Sequence, residues 1–374
     1  MQFNEVVGQD RIKQKLIQTV KNNRISHAQL FLGTEGSGSL ALALAYAQYI
    51  NCPNKTDEDS CGTCTSCMQH SKLVHPDLHF TFPTINVEKK KTSNEFIDQW
   101  RKAFCENPYL TELDWLLALD DEGKKQGNIT AEECRDIVRK IGLKAFSAPY
   151  KTVIVWLPEY MGYEGNILLK LLEEPPANTL ILLVAHDADK LLATILSRTQ
   201  LVKIPRLPDE LIAHELMKRL ELPQHIAEPI ARVAEGNLSA ALQLAAEGRG
   251  NYNELFADWM RACYFRDMQK IEKSVGEITG TGKEFIKSFV HYSLHMMRAV
   301  MLSSHAHQQM IKLSEQETQF IHKFSRMFNE KSVFDINAAL NKLAFAIERN
   351  ADMRTAFYQL SFYISRRMVQ QTTH

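Results

Sequence analysis

The chain has 374 residues, is 45% hydrophobic and 24% charged, and sets 44 Lys+Arg against 44 Asp+Glu. That is the composition of a globular chain of two or three domains, and it excludes a disordered, fibrous or collagen-like protein. Zero net charge supplies no long-range field toward nucleic acid or an anionic membrane, so any such partner must be met locally.

The charge is nearly even along the chain. Residues 1–250 hold 28 basic and 32 acidic residues, and residues 251–374 hold 16 and 12, so any DNA contact points to the C-terminal third. The start, Met-Gln-Phe-Asn-Glu-Val-Val, has neither a basic n-region nor an apolar core, and no apolar run approaches the roughly 18 residues of a membrane span. This predicts a soluble cytoplasmic protein with no membrane partner.

In chain order, residues 28–32 are a short apolar run ending in a glycine-rich turn, Gly33-Thr34-Glu35-Gly36-Ser37-Gly38, and Ala41 to Ile50 predicts a helix. Strand, glycine loop and helix in that order are the setting of a phosphate-binding loop. Further apolar runs at 78–82, 152–157, 180–185 and 201–204, separated by helical stretches, predict an α/β fold with a parallel sheet covered on both faces. Residues 88–127 fit neither period and read as an insertion, partly helical around Trp100 and Trp115, with no assigned function. After Pro205-Arg206-Leu207-Pro208 strand signals stop. A small helical unit runs to about Glu247, Gly248-Arg249-Gly250 marks a linker, and 251–374 reads as amphipathic helix, with Phe345, Ile347, Ala356, Phe357, Leu360 and Ile364 on one spacing.

A working phosphate loop is Gly-x-x-x-x-Gly-Lys-Ser/Thr, in which the lysine reaches the β and γ oxygens and the hydroxyl holds Mg²⁺. Gly33 and Gly38 fit, but Ser39 stands at the lysine position and Leu40 at the hydroxyl position. The backbone shape is kept and both chemical side chains are gone; a plain glycine turn is the competing reading. The second need is an apolar strand ending in Asp-Glu. After Lys151 to Val155 those positions are Trp156 and Leu157, and the nearest carboxylate, Glu159, comes two or more residues late.

Four of the seven cysteines follow Cys52-x8-Cys61-x2-Cys64-x2-Cys67. In a reducing compartment this spacing predicts a closed tetrahedral zinc site, structural because no coordination position is left open; unligated core thiols and an iron–sulfur cluster are the alternatives. His70, His75 and His79 read as structural, and Cys105, Cys134 and Cys263 stand alone in the sequence. Ser197-Arg198 precedes the last strand. From residue type alone Arg198 is a solvated loop charge, although an arginine at a subunit edge can also reach a neighbour's nucleotide.

Taken together, several segments resemble the AAA+ clamp loader subunits of bacterial DNA polymerase III. They are Val7-Gly8-Gln9, Ser26-His27-Ala28 with the glycine loop, the four cysteines, His75-Pro76-Asp77, Asn166 through Leu171-Leu172-Glu173-Glu174-Pro175-Pro176, and Ile195-Leu196-Ser197-Arg198. The likeness covers residues 1 to about 245 apart from the insertion. It implies three domains: an AAA+ sheet domain over 1–205 with a zinc module at 52–67 and an insertion at about 88–127, a helical lid over 206–248, and a helical collar over 251–374 that oligomerises.

The family holds ATP-hydrolysing gamma/tau subunits and a non-hydrolysing delta-prime type. Ser39, Leu40, Trp156 and Leu157, with Ser239 where active subunits place a nucleotide-sensing arginine, side with delta-prime. The family's Ser-Arg-Cys appears as Ser197-Arg198-Thr199, so the cysteine is lost and the arginine kept. The resemblance therefore implies no ATP hydrolysis and no Mg²⁺ chemistry at Gly33, Gly36, Gly38, Ser39 and Leu40, and a structural zinc. It also implies an arginine finger at Arg198 acting on a neighbour. Its implied partners are gamma/tau and delta subunits, with the sliding clamp and primed DNA met through the assembly. The alternatives are a gamma/tau-like ATPase and a zinc-dependent nucleic-acid-binding module.

Overall fold

The computed structural model describes residues 1–85, 92–120, 127–246, 252–280, 283–303, 315–348 and 352–368. The chain divides into two compact units, 1–212 with 235–240, and 213–234 with 241–374. The glycine linker predicted at Gly248–Gly250 lies outside the described residues.

The first unit is built on strands β1 (Ala28–Gly33), β2 (Leu78–Thr81), β3 (Lys151–Trp156), β4 (Thr179–Ala185) and β5 (Gln200–Ile204). They form one parallel sheet, as the apolar runs predict, in the order β2-β3-β4-β1-β5. Every residue of β3 and β4 is buried, whereas β5 at the edge is largely exposed. Alternate residues serve two cores. Ile154, Trp156, Leu180, Leu182 and Val184 face one, and Val153, Val155, Ile181 and Leu183 face the other, the period-two consequence of strand geometry.

Around the sheet lie α1 (Asp10–Lys21), α2 (Ser39–Asn51), α3 (Thr65–Ser71), α4 (Ile97–Glu106), α5 (Glu112–Leu119), α6 (Ala131–Gly142), α7 (Leu169–Glu173) and α8 (Ala193–Leu196). All thirteen residues of α2 are buried. Its Ala-Leu-Ala-Leu-Ala sequence has no polar stripe, which is what a helix enclosed on every side requires.

Residues 92–120 are more regular than the sequence reading allows. Trp100 and Phe104, four apart on one face of α4, are buried together with Phe96 at its N-cap. Thr111 and Asp114 form a reciprocal cap at the start of α5. The two tryptophans complete the core: Trp100 stacks on Phe82 at 4.3 Å, meets Trp115 edge-on at 5.2 Å and lies 5.0 Å from Trp156, while Trp115 Nε1 donates to the Pro83 carbonyl at 2.7 Å. Each helix is too short for its period to stand out amid flanking charges.

Asp77 anchors the loop before β3. Its carboxylate accepts from the backbone N–H groups of Phe146, Ser147 and Ala148 at 2.5, 2.7 and 2.8 Å. Burial pushes its pKa up, but those three donors and His75 outweigh it and hold the carboxyl below its ordinary value. A depressed folded pKa stabilises the fold above the ordinary carboxylate range and loses that contribution as pH falls through the folded value. The melting-temperature gap between the native chain and Asp77→Asn is therefore expected to be largest at neutral pH and to close on acidification; a gap independent of pH would contradict this.

Helix α9 (Asp209–Leu220) crosses from the first unit into the second, α10 (Gln224–Val233) lies in the second, and most of α11 (Leu238–Ala246) does too. The second unit continues with α12 (Tyr252–Phe265), α13 (Met268–Thr279), α14 (Lys283–Ser303), α15 (Glu315–Phe324), α16 (Glu330–Glu348) and α17 (Met353–Arg367). Phe256, Trp259, Phe289, Tyr292 and Phe357 form its aromatic core. Buried Glu317 is held by Arg232 and the Tyr292 hydroxyl, both at 3.0 Å, which pins α10 to α14 and α15. The described residues between 252 and 368 are helical as the sequence predicts, with Phe357, Leu360 and Ile364 facing inward; the rest of 251–374 lies outside the described residues.

Candidate functional site

The four cysteines converge. Their sulfurs all lie within 4.8 Å of one another, with Cys52–Cys64 at 4.0 Å and Cys61–Cys67 at 3.9 Å. A tetrahedron with metal–sulfur bonds of about 2.3 Å has edges of roughly 3.8 Å, so the donor set and spacing fit one metal ion. Backbone N–H groups point at the sulfurs, from Cys61 to Cys52 at 3.3 Å and from Cys64 to Cys61 and Cys67 to Cys64 at 3.4 Å each. The donors at Cys64 and Thr63 hold the Cys61 thiol down to about 6, toward the thiolate a metal needs. Burial pushes Cys67 the other way, a cost that a bound cation would offset. Among the described residues this is the one group of three or more such donors placed to share an ion. His70 instead bonds the Ser66 carbonyl at 2.8 Å through Nδ1.

The glycine loop has the predicted strand–turn–helix setting. Gly36 and Gly38 adopt φ of +69° and +87°, a left-handed conformation that favours glycine. Ser39, at the lysine position, is buried and shares a 2.9 Å hydrogen bond with Ser37; Leu40, in the first turn of α2, is buried in the core. At the end of β3, Trp156 is buried in the tryptophan cluster. Leu157 has φ +54° and donates to the Val184 carbonyl at 2.9 Å. Glu159 is engaged with backbone: one carboxylate oxygen accepts from the N–H groups of His186 at 2.6 Å and Asp187 at 2.9 Å. It fixes the turn after β4.

Arg198 is separate from both. It lies just before β5, and β5 pairs with β1 from Gln29↔Gln200 to Gly33↔Ile204. Arg198 thus stands at the amino end of the sheet and the glycine loop at the carboxyl end. At about 3.3 Å per residue the two are some 15 Å or more apart. The guanidinium is held by Glu173 at 2.5–2.6 Å and by the Thr194 carbonyl and Ser197 Oγ at 3.0 and 3.2 Å, with a third of the side chain still exposed.

A family profile described as DNA polymerase III, delta subunit, matches residues 8–208, more than half of the chain. The chain belongs to this family. The tau subunit of DNA polymerase III from Escherichia coli (strain K12) is 29% identical over 249 residues, 65% of this chain and 32% of that protein, so the chain spans about a third of that relative's length. The delta' subunit from Bacillus subtilis (strain 168) is 26% identical over 261 residues, 68% of this chain and 65% of its own. A solved gamma subunit-related protein from Thermotoga maritima aligns over 95% of this chain and 99% of its own at 16% identity and a TM-score of 0.39, too low a likeness to carry an argument.

Sequence reasoning singled out the cysteines, the glycine loop and Arg198; the structure brings the four cysteines together and leaves Arg198 apart from the loop. Sequence reasoning missed Glu173, whose place in the Glu-Glu-Pro-Pro run was legible but whose partner 25 residues away was not. It also missed the contacts of Tyr109, which carries no motif, and of Asn237, beside Ser239, with the loop glycines.

Proposed function

We propose that the chain is a non-hydrolysing, delta-prime-like subunit of the DNA polymerase III clamp loader, in which Arg198, oriented by Glu173 and Ser197, acts in trans on the ATP site of an adjacent gamma/tau subunit. The observation that carries this is the position of Arg198 at the opposite end of the sheet from its own glycine loop. A guanidinium there cannot reach phosphates bound in the same chain, so a phosphoryl-transfer role for it requires a neighbour. Its Nε and Nη2 both meet one Glu173 carboxylate oxygen, a charge-assisted contact that orients the guanidinium while leaving part of it exposed.

The side chains that hold phosphate and metal in a hydrolysing subunit are replaced by Ser39, Leu40, Trp156 and Leu157, and Glu159 is committed to backbone donors. No Mg²⁺-dependent turnover is expected from the isolated chain. The four cysteines hold a structural zinc, which supplies cross-linking rather than chemistry. The working division is a sheet domain over 1–205, a lid over 206–248 and a collar over 251–374 that joins gamma/tau and delta subunits. The sliding clamp and primed DNA are met through that assembly. A gamma/tau-like ATPase draws on the 29% identity of the tau relative, but it would need a lysine to replace Ser39, and none lies within five residues.

Native mass measurement tests the assembly. The full chain mixed with purified gamma/tau and delta subunits is expected to enter one complex, and a chain ending near residue 250 is expected to be left out. Incorporation of the truncated chain would remove the collar assignment.

A further inference from the structure

The departures from an ATPase site meet in space, and the segment 92–120 joins them. The turn between α4 and α5 lies on the glycine loop: a Cβ on Gly38 would stand 2.9 Å from Tyr109 Cε1. The Tyr109 hydroxyl accepts from Val7 N–H at 2.7 Å, and Glu112 N–H donates to Glu35 Oε1 at 2.9 Å. On the other flank, a Cβ on Gly36 would come within 1.9 Å of Asn237 Oδ1, and Leu238 N–H donates to the Gly36 carbonyl at 3.2 Å. Asn107 Nδ2 bridges the flanks by donating to buried Ser239 Oγ at 2.8 Å, and that hydroxyl donates to Asp114 at 3.4 Å. Below, the same segment sets Trp100 against Trp156, the position where a metal-holding carboxylate would stand.

A loop that cradles phosphates must leave room above its glycines for oxygens, a cation and water. Here both left-handed glycines are in contact with this chain's own side chains. We propose that the insertion is an internal plug: residues 107–114, with 237–239, fill the place of a nucleoside di- or triphosphate and hold the loop closed without one. On this view the missing lysine and hydroxyl are not the sole barrier to nucleotide, and restoring them leaves the site shut. The inference rests on the loop being a former nucleotide site of a clamp loader subunit, and not on Arg198.

The test uses the full chain alone, so its failure leaves the Arg198 assignment standing. Ser39→Lys/Leu40→Thr is expected to bind no fluorescent ADP with Mg²⁺ at millimolar concentration, and adding Tyr109→Gly and Asn237→Gly is expected to give saturable binding. Binding by the double variant, or none by a folded quadruple variant, overturns the plug. Because the quadruple variant can fail to fold, hydrogen exchange on Tyr109→Gly alone provides a second reading. Amides of 33–40 and 235–240 are expected to exchange at least tenfold faster than in the native chain, and unchanged exchange there overturns the proposal.

Discussion

With Arg198→Ala in the reconstituted complex, ATP turnover at the site it faces is expected to fall by roughly 10³-fold or more, the scale on which arginine fingers act in related phosphoryl transfer. The charge spread over a transferring phosphoryl group is met by a planar, bidentate cation, so Arg198→Lys should recover only part of the loss. Glu173 bonds the guanidinium at 2.5–2.6 Å, and Glu173→Gln should lower turnover less than the alanine variant does while leaving assembly unchanged. The readouts are single-turnover hydrolysis and clamp-loading rate in a complex shown by mass to be intact. Normal rates with Arg198→Ala in an intact complex would remove the finger assignment.

The second large effect is structural. Chelating the metal, or Cys67→Ala, is expected to melt the loop 52–67, because metal binding and local folding are one equilibrium in such sites, with apparent free energies of about 10–16 kcal/mol in small zinc peptides. The loss should spread to the N-terminus. Gln2 Nε2 donates to the Ser60 carbonyl at 2.6 Å, and the N–H groups of Phe3 and Asn4 donate to Asp59 at 3.0 and 2.9 Å, so residues 1–5 are tied to the cysteine loop. Hydrogen exchange should accelerate in 1–5 and 52–67 together, while the strand β4, remote in sequence and buried throughout, keeps its protection. Unchanged exchange after metal removal would show that the thiols are not a metal site. If metal removal instead abolished DNA affinity of the isolated chain, the nucleic-acid-binding reading would replace the structural one.

Most of the sheet was legible because a parallel sheet covered on both faces must be written as short continuous apolar runs, and Thr179–Ala185 could be little else. The cysteine cluster was legible because its four thiols are close in sequence, so spacing alone constrains geometry. The segment 92–120 was not. Its helices α4 and α5 are short, and the meaning of Trp100 and Trp115 depends on Phe82 and Trp156, which lie elsewhere in the chain. No local period records such a partnership.

The sequence by itself determined the strands, the cysteine tetrad and the presence of Ser39, Leu40, Trp156 and Leu157 where a phosphate-binding motif would place lysine, hydroxyl and acidic residues, since each is a matter of residue type at a fixed local spacing. Only the tertiary structure decided that Arg198 lies at the far end of the sheet from the glycine loop and is held by Glu173. It also decided that Tyr109 and Asn237 close on Gly38 and Gly36. Those relations depend on strand register and on contacts between residues 25 to more than 200 positions apart, and distance in space between such residues is set by packing rather than by any pattern along the chain.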